Sequence, residues 1–145
     1  MSSQILLITD MAGYGKVALS AMLPVLSHMG HHIYNLPTAL VSNTFNYGKF
    51  DILDTTGYME KTIRIWKELG FKFDAVFTGF IASQQQADLA RSFCREQARQ
   101  GARIFTDPIM ADQGELYQGL NPATVGFLKE LAGGADVIVP NYTEA

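Results

Sequence analysis

Short apolar runs alternate with amphipathic helical stretches along this whole sequence, and that alternation restricts the chain to very few folds. QILLIT (4–9) reads as a buried strand, followed by a largely apolar helix over 16–29 that contains Pro24. A mid-helix proline removes an amide donor and crowds the preceding turn, so it predicts a kink or a displaced start. After Gly30, HHIYNLPTAL supplies a second extended segment. Met59, Ile63, Trp66 and Leu69 recur at helical spacing between Glu60, Lys61, Arg64 and Lys67, which predicts an amphipathic helix over 58–69. DAVFTGF (74–80), ARIFTDPIM (102–110) and ADVIVPN (135–141) read as three more strands.

Helix boundaries are written into the chain between those strands. Ser83 with Gln86 three residues on is a capping-box signal, and the helix it opens runs to about Gln100. Asn121-Pro122 places an amide cap before a first-turn proline, and Gly133-Gly134 closes that helix. Buried strands alternating with amphipathic helices require parallel pairing with right-handed crossovers. The expected architecture is therefore α/β: a three-layer, doubly wound, mainly parallel sheet of the Rossmann type. Asn141-Tyr-Thr-Glu-Ala opens a further strand-to-helix turn with no helix after it, so the architecture is expected to be incomplete at the C-terminus.

Composition narrows the function classes. The 145 residues carry a net charge of −3 and 48% hydrophobic residues, enough for one domain with a real core and no basic footprint for nucleic acid. No apolar run is long enough to span a bilayer, and Met-Ser-Ser-Gln is not a secretory signal. The single cysteine, Cys94, sits on a predicted helix beside Ala90 and Phe93 and is expected to be buried packing. His31 and His32 are adjacent, so on a strand they point to opposite faces and share no metal. A cytoplasmic protein is expected.

Ligands in open α/β sheets sit at the carboxyl ends of the strands. Five stretches qualify: Thr9–Lys16, Ser42–Lys49, Thr78–Ser83, Asp107–Asp112 and Asn141–Glu144. The first, ITDMAGYGK, has the outline of a phosphate loop but not its spacing. A Walker A loop needs glycine where Asp10 stands and a hydroxyl residue where Val17 stands. A carboxylate inside a phosphate nest would repel its ligand. Asp10 is either a polar anchor in a site or a cap on the first turn, and Lys16 is expected to be solvated.

SNTFNYGKF (42–50) is either an ordinary turn built on Asn46 and Gly48 or a loop lining a small, flat, polar ligand. Gly79-Phe80 offers close backbone approach and a flat wall. Asp107 and Asp112 straddle a proline turn, where they could hold a hydrated magnesium ion near phosphates, or Asp112 could simply cap a turn. Asn141 and Glu144 could complete that polar cluster.

Taken in order, these stretches resemble the pyridoxal kinase family of the ribokinase-like superfamily. The resemblance rests on Tyr14-Gly15, Ser42-Asn43 with Tyr47-Gly48-Lys49, Gly79-Phe80 with Ser83 and Gln86, Asp107-Pro108-Ile109-Met110 with Asp112, and Pro140-Asn141 with Glu144. It implies that residues 1–145 form the N-terminal part of a single kinase domain that phosphorylates the 5'-hydroxymethyl group of pyridoxal, pyridoxine or pyridoxamine. It places Asp10, Ser42, Thr44, Phe45, Tyr47 and Phe80 near the vitamin, and Asp107, Asp112, Asn141 and Glu144 near metal and nucleotide. It further implies ATP and Mg2+, with a monovalent cation such as K+ admitted, and a homodimer.

The chain departs from that family at several ring-facing positions. Asp10 stands where serine is usual, Met11 where histidine is, Thr44 and Phe45 where histidine and threonine are, and Phe80 where tyrosine is. An acid at position 10 is expected to favour cationic or hydroxyl-bearing vitamers over the aldehyde. The family's glycine-rich anion hole, with its catalytic aspartate, lies in a second half that these residues do not contain. No catalytic residue is therefore assigned here, and residues 1–145 alone are expected to be inactive. The rival expectations are a hydroxymethylpyrimidine kinase and a non-catalytic flavodoxin-like binding or receiver domain.

Overall fold

A computed structural model describes all 145 residues. Its main sheet has six strands: β1 (Gln4–Ala12), β2 (His32–Val41), β3 (Ile52–Asp54), β4 (Ala75–Thr78), β5 (Arg103–Thr106) and a last short strand, Val137–Ile138. A separate two-stranded ribbon pairs β6 (Ala111–Asp112) with β7 (Glu115–Leu116), so the last strand of the main sheet is β8. The strand order is β3-β2-β1-β4-β5-β8, and every pairing is parallel except β2 with β3. The helices are α1 (Ala18–His28), α2 (Thr56–Glu68), α3 (Gln84–Arg99) and α4 (Pro122–Ala132).

Alternation along the strands sorts side chains onto two faces. Leu6, Ile8, Leu36, Val76 and Ile104 pack against Met59 and Ile63 of α2, Phe93 and Cys94 of α3, and Phe127, Leu128 and Leu131 of α4. Each such side chain contributes about 1.5–3 kcal/mol by leaving water. On the opposite face Leu7, Phe77, Phe105 and Val137 lie in register, and α1 lies against β1 and β2. Helices on both faces of a mainly parallel sheet make the doubly wound arrangement that the alternation predicts. Cys94 is buried, and burial pushes its thiol up to about 12.

Several boundaries differ from the sequence expectations. Strand β1 continues three residues beyond Thr9, because Met11 and Ala12 pair with Leu40 and Val41 after a register shift. That shift sets Asp10 opposite the two residues Thr38 and Ala39, a bulge that lets pairing resume. Helix α1 starts at Ala18 rather than 16 and carries Pro24 inside it. Helix α2 starts two residues early because the Asp54 carboxylate accepts the Thr56 amide at 2.7 Å. Strand β3 is absent from the sequence expectations: three exposed residues carry too little apolar pattern to be read. β8 is only two residues long: Val137 and Ile138 pair with Phe105 and Thr106 of β5 at the edge of the sheet.

The cap signals resolve into real caps. The Asn121 side chain accepts the Ala123 amide at 2.9 Å, with Pro122 in the first turn of α4. The Ser83 hydroxyl accepts the Gln86 amide at 3.2 Å. The returning arm of the expected capping box goes elsewhere: Gln86 Oε1 accepts the Ala82 amide at 2.9 Å. Gln86 Nε2 then donates to the Thr38 carbonyl at 2.8 Å and to the Thr56 hydroxyl at 3.0 Å. One buried side chain thus ties α3 to β2 and α2.

Candidate functional site

The strand order reverses direction between β1 and β4, which is where an open α/β sheet leaves a crevice at its carboxyl ends. A cleft of about 450 Å³ lies there. Asp10 comes from β1, Thr44 and Phe45 from the loop after β2, Phe80 from the turn after β4, and Asp112 from the β6–β7 ribbon. Val41, Ile109 and Tyr117 add apolar and aromatic wall.

Phe80 is held rigidly. Its amide donates to the Thr9 hydroxyl at 3.0 Å, and its carbonyl accepts the Thr38 hydroxyl at 2.7 Å. Its ring is 5% exposed and meets Phe45 edge-on with centroids 6.2 Å apart. Gly79 does make a close approach, as its sequence context suggested, but to the Thr9 side chain rather than to a ligand.

The 42–50 loop is a closed turn, and part of it faces the cleft. The Ser42 hydroxyl accepts the Asp51 amide at 2.8 Å, and Asn43 Nδ2 donates to the Lys49 carbonyl at 2.9 Å, so this pair closes the loop. Gly48 completes the turn at φ 70°. Thr44 and Phe45, between them, face the cleft. Ser42 instead lines a neighbouring shallow groove with Met11, Leu40 and Leu53. Tyr47 lies outside the cleft, edge-on to Tyr14 at 6.1 Å and 59% exposed.

The second group of expected site residues sits beyond Ile109. Glu144 accepts the Met110 amide at 3.0 Å and the Asn141 amide at 3.0 Å. Asn141 Nδ2 donates to the Ala111 carbonyl at 2.7 Å. These two side chains therefore brace the 141–145 turn against the segment that follows Asp107. Asp107 is half-buried; burial first, and the nearby Glu144 carboxylate second, raise its pKa from 3.8 to about 6. Burial and the surrounding carboxylates of Asp112, Glu144 and Asp107 likewise raise the Tyr117 hydroxyl. No group of three or more His, Cys, Asp or Glu side chains is arranged to hold a metal.

A raised carboxyl pKa means that ionised Asp107 weakens the fold. The penalty is absent below about pH 3.8, grows as pH rises, and is complete above about pH 6. At full strength the displacement corresponds to about 3 kcal/mol; solvent around a half-buried group reduces it to about 1 kcal/mol. Asp107→Asn is thus expected to stabilise the chain by about 1 kcal/mol at pH 7.5 and by nothing near pH 3.5. Urea unfolding at both pH values tests this.

Sequence inspection missed the ribbon. Residues Asp112-Gln113-Gly114-Glu115 carry the signal: Gln113 and Gly114 both adopt positive φ, 52° and 86°, as a two-residue hairpin of type I′ requires. The turn brings Glu115, Leu116, Tyr117 and Gln118 to the cleft. Asp112 also accepts the Gln113 amide at 2.8 Å, so it both caps this turn and reaches the cleft.

No protein-family model matches the chain. Among curated proteins, pyridoxal kinase PdxY of Burkholderia mallei is 30% identical over 139 residues, covering 90% of this chain and 47% of the relative. A solved structure from Bacteroides thetaiotaomicron, described as a phosphomethylpyrimidine kinase and crystallised with pyridoxal, is 37% identical with a TM-score of 0.94. That match covers 98% of this chain and 50% of the other. Pyridoxal kinase from Leishmania donovani, in complex with ADP and pyridoxamine, is 26% identical with a TM-score of 0.88, covering 98% of this chain and 51% of that one. The chain spans about half the length of the relatives it matches. In sequence and in fold, this chain is similar to half of a ribokinase-like pyridoxal kinase.

Proposed function

We propose that this chain is the N-terminal, vitamin-binding part of a kinase that transfers the γ-phosphoryl group of ATP to the 5'-hydroxymethyl oxygen of a B6 vitamer. The observation that carries this reading is the cleft: its wall Phe80 belongs to a motif that resembles the pyridoxal kinases, and Phe45 faces it from the loop between two others. The Bacteroides structure with pyridoxal supports it, and the Leishmania complex with ADP supports nucleotide as the second substrate. Asp10, Thr44, Phe45 and Phe80 contact the ring, and Ser42 and Tyr47 act from the rim by shaping the loop. In the transfer, the hydroxymethyl oxygen bonds to phosphorus as the bond to the β–γ bridging oxygen breaks and ADP departs. The alcohol proton passes to a base outside residues 1–145.

Asp107, half-buried with the Glu144 carboxylate nearby, would hold magnesium in a site of the sparse kind, in which few protein oxygens share the ion with water and phosphate. Their mutual repulsion is what a divalent cation would relieve. When bound, magnesium would neutralise phosphate charge; Asn141 braces the turn that carries Glu144, and Asp112 stands at the cleft nearby. A cytoplasmic homodimer follows from the same resemblance. No helix is long and apolar enough to cross a membrane.

A second reading, phosphorylation of a hydroxymethylpyrimidine, is favoured by the description of the Bacteroides protein. The parallel strands also share their order with flavodoxin-like domains, so topology alone does not separate a binding module from a kinase. The test joins the coding sequence and an assay. A reading frame that continues beyond Ala145 into a glycine-rich loop ending in aspartate is expected. The continuous protein should phosphorylate B6 vitamers faster than hydroxymethylpyrimidine, and residues 1–145 alone should give no ATP-dependent product in a single-turnover assay. Faster turnover of the pyrimidine would select the second reading, and product from residues 1–145 alone would refute the division of labour.

A further inference from the structure

Asp10 is a carboxylate without a counter-charge. Its one side-chain partner is the Thr9 hydroxyl, which donates its single proton to Asp10 Oδ1 at 3.3 Å while its oxygen accepts the Phe80 amide. None of the three ion pairs in the chain involves Asp10. The residues lining the cleft include Asp10, Asp112 and Glu115 but no lysine, arginine or histidine. The site therefore presents flat apolar walls, a carboxylate from β1 and acidic groups from the ribbon. Its volume of about 450 Å³ lies in the range of small-ligand clefts.

We propose that Asp10 is the specificity-determining residue of this cleft, selecting a pyridine ring that carries a protonated aminomethyl group over the same ring carrying an aldehyde. The inference rests on the B6 reading of the site and goes beyond it by naming the preferred member of the class. An ammonium group donates to the carboxylate through a charge-assisted hydrogen bond, the strong kind. A hydroxymethyl group donates a weaker, neutral one. An aldehyde oxygen only accepts, so its lone pairs face those of Asp10 and both groups lose water without gaining a bond. Burial raises the Asp10 pKa, outweighing the hydrogen bonds from its own backbone and from the Thr9 hydroxyl, so the carboxylate is incompletely compensated.

Calorimetric titration of the continuous protein with ring-matched ligands differing at the 4' group tests this. The ligands are pyridoxamine, pyridoxine, 4-deoxypyridoxine and pyridoxal, and the proteins are the wild type, Asp10→Asn and Asp10→Ser. Asparagine keeps the shape and removes the charge; serine guards against a packing defect in the first variant. The wild type is expected to bind pyridoxamine at least about tenfold more tightly than 4-deoxypyridoxine or pyridoxal, with pyridoxine between. Both variants should shrink that ratio to within about threefold, because the charge-assisted hydrogen bond is lost. A ratio that persists in both variants, or a wild type that shows no preference, would overturn the role of Asp10 while leaving the B6 reading intact. Absence of binding to all four ligands by the wild type would overturn the B6 reading, and this inference with it.

Discussion

Replacing Gln86 with alanine is expected to destabilise the chain by about 3 kcal/mol. Gln86 is fully buried and makes three hydrogen bonds, to the Ala82 amide, the Thr38 carbonyl and the Thr56 hydroxyl. Alanine leaves the part-buried Ala82 amide with no protein acceptor, at about 1 kcal/mol. The Thr38 carbonyl keeps only a long 3.4 Å bond from Thr55. The emptied volume adds a cavity term, because packed interiors relax only partly. Thr38 also holds the Phe80 carbonyl, so the damage reaches the cleft wall. Urea unfolding measures the change; a loss below 1 kcal/mol would show that Gln86 is not the tie described above.

Gly79→Ala is expected to destabilise by about 3 kcal/mol and to abolish ligand binding in the cleft. A methyl group at Gly79 would press on the Thr9 hydroxyl, with its carbon 2.9 Å from Thr9 Cβ and 3.3 Å from Ile109 Cδ1. Thr9 cannot swing away cheaply, because its hydroxyl accepts the Phe80 amide and contacts Asp10. Overpacking of this kind typically costs about 1–3 kcal/mol, and loss of the Thr9–Phe80 hydrogen bond adds to it. Thermal unfolding checks the stability, and titration with pyridoxamine checks the cleft. Pairing with Thr9→Ala removes the hydroxyl clash but not the Cβ contact, so recovery should be partial. Full binding by Gly79→Ala alone would mean that the Gly79-Phe80 turn does not shape the site.

These two residues mark the limits of sequence inspection. Gln86 was visible as the second half of a capping box, and the Ser83 half formed as expected. Its side chain went to Ala82, Thr38 and Thr56 instead, partners that local spacing cannot reveal because two of them are 30 and 48 residues away. Gly79 was legible as a close approach, but the approaching atoms belong to Thr9, seventy positions earlier. Of the six residues that the resemblance assigns to the vitamin, four line the cleft and two, Ser42 and Tyr47, do not. The difference lies in which side of a short loop each residue faces, and the Ser42–Asp51 and Asn43–Lys49 hydrogen bonds decide that.

The sequence by itself determined what depends on near neighbours: the order of the five parallel strands and four helices, the caps at Ser83 and Asn121, the burial of Cys94, and the failure of ITDMAGYGK to match phosphate-loop spacing. Period, capping chemistry and motif spacing all act within a few residues, so they can be read along the chain. Tertiary structure alone decided the antiparallel β3, the ribbon that brings Tyr117 to the cleft, and the register shift that places Asp10 beside Phe80 and Phe45. Those features depend on strand order and on contacts across the sheet, where two residues meet because the backbone between them has been folded away.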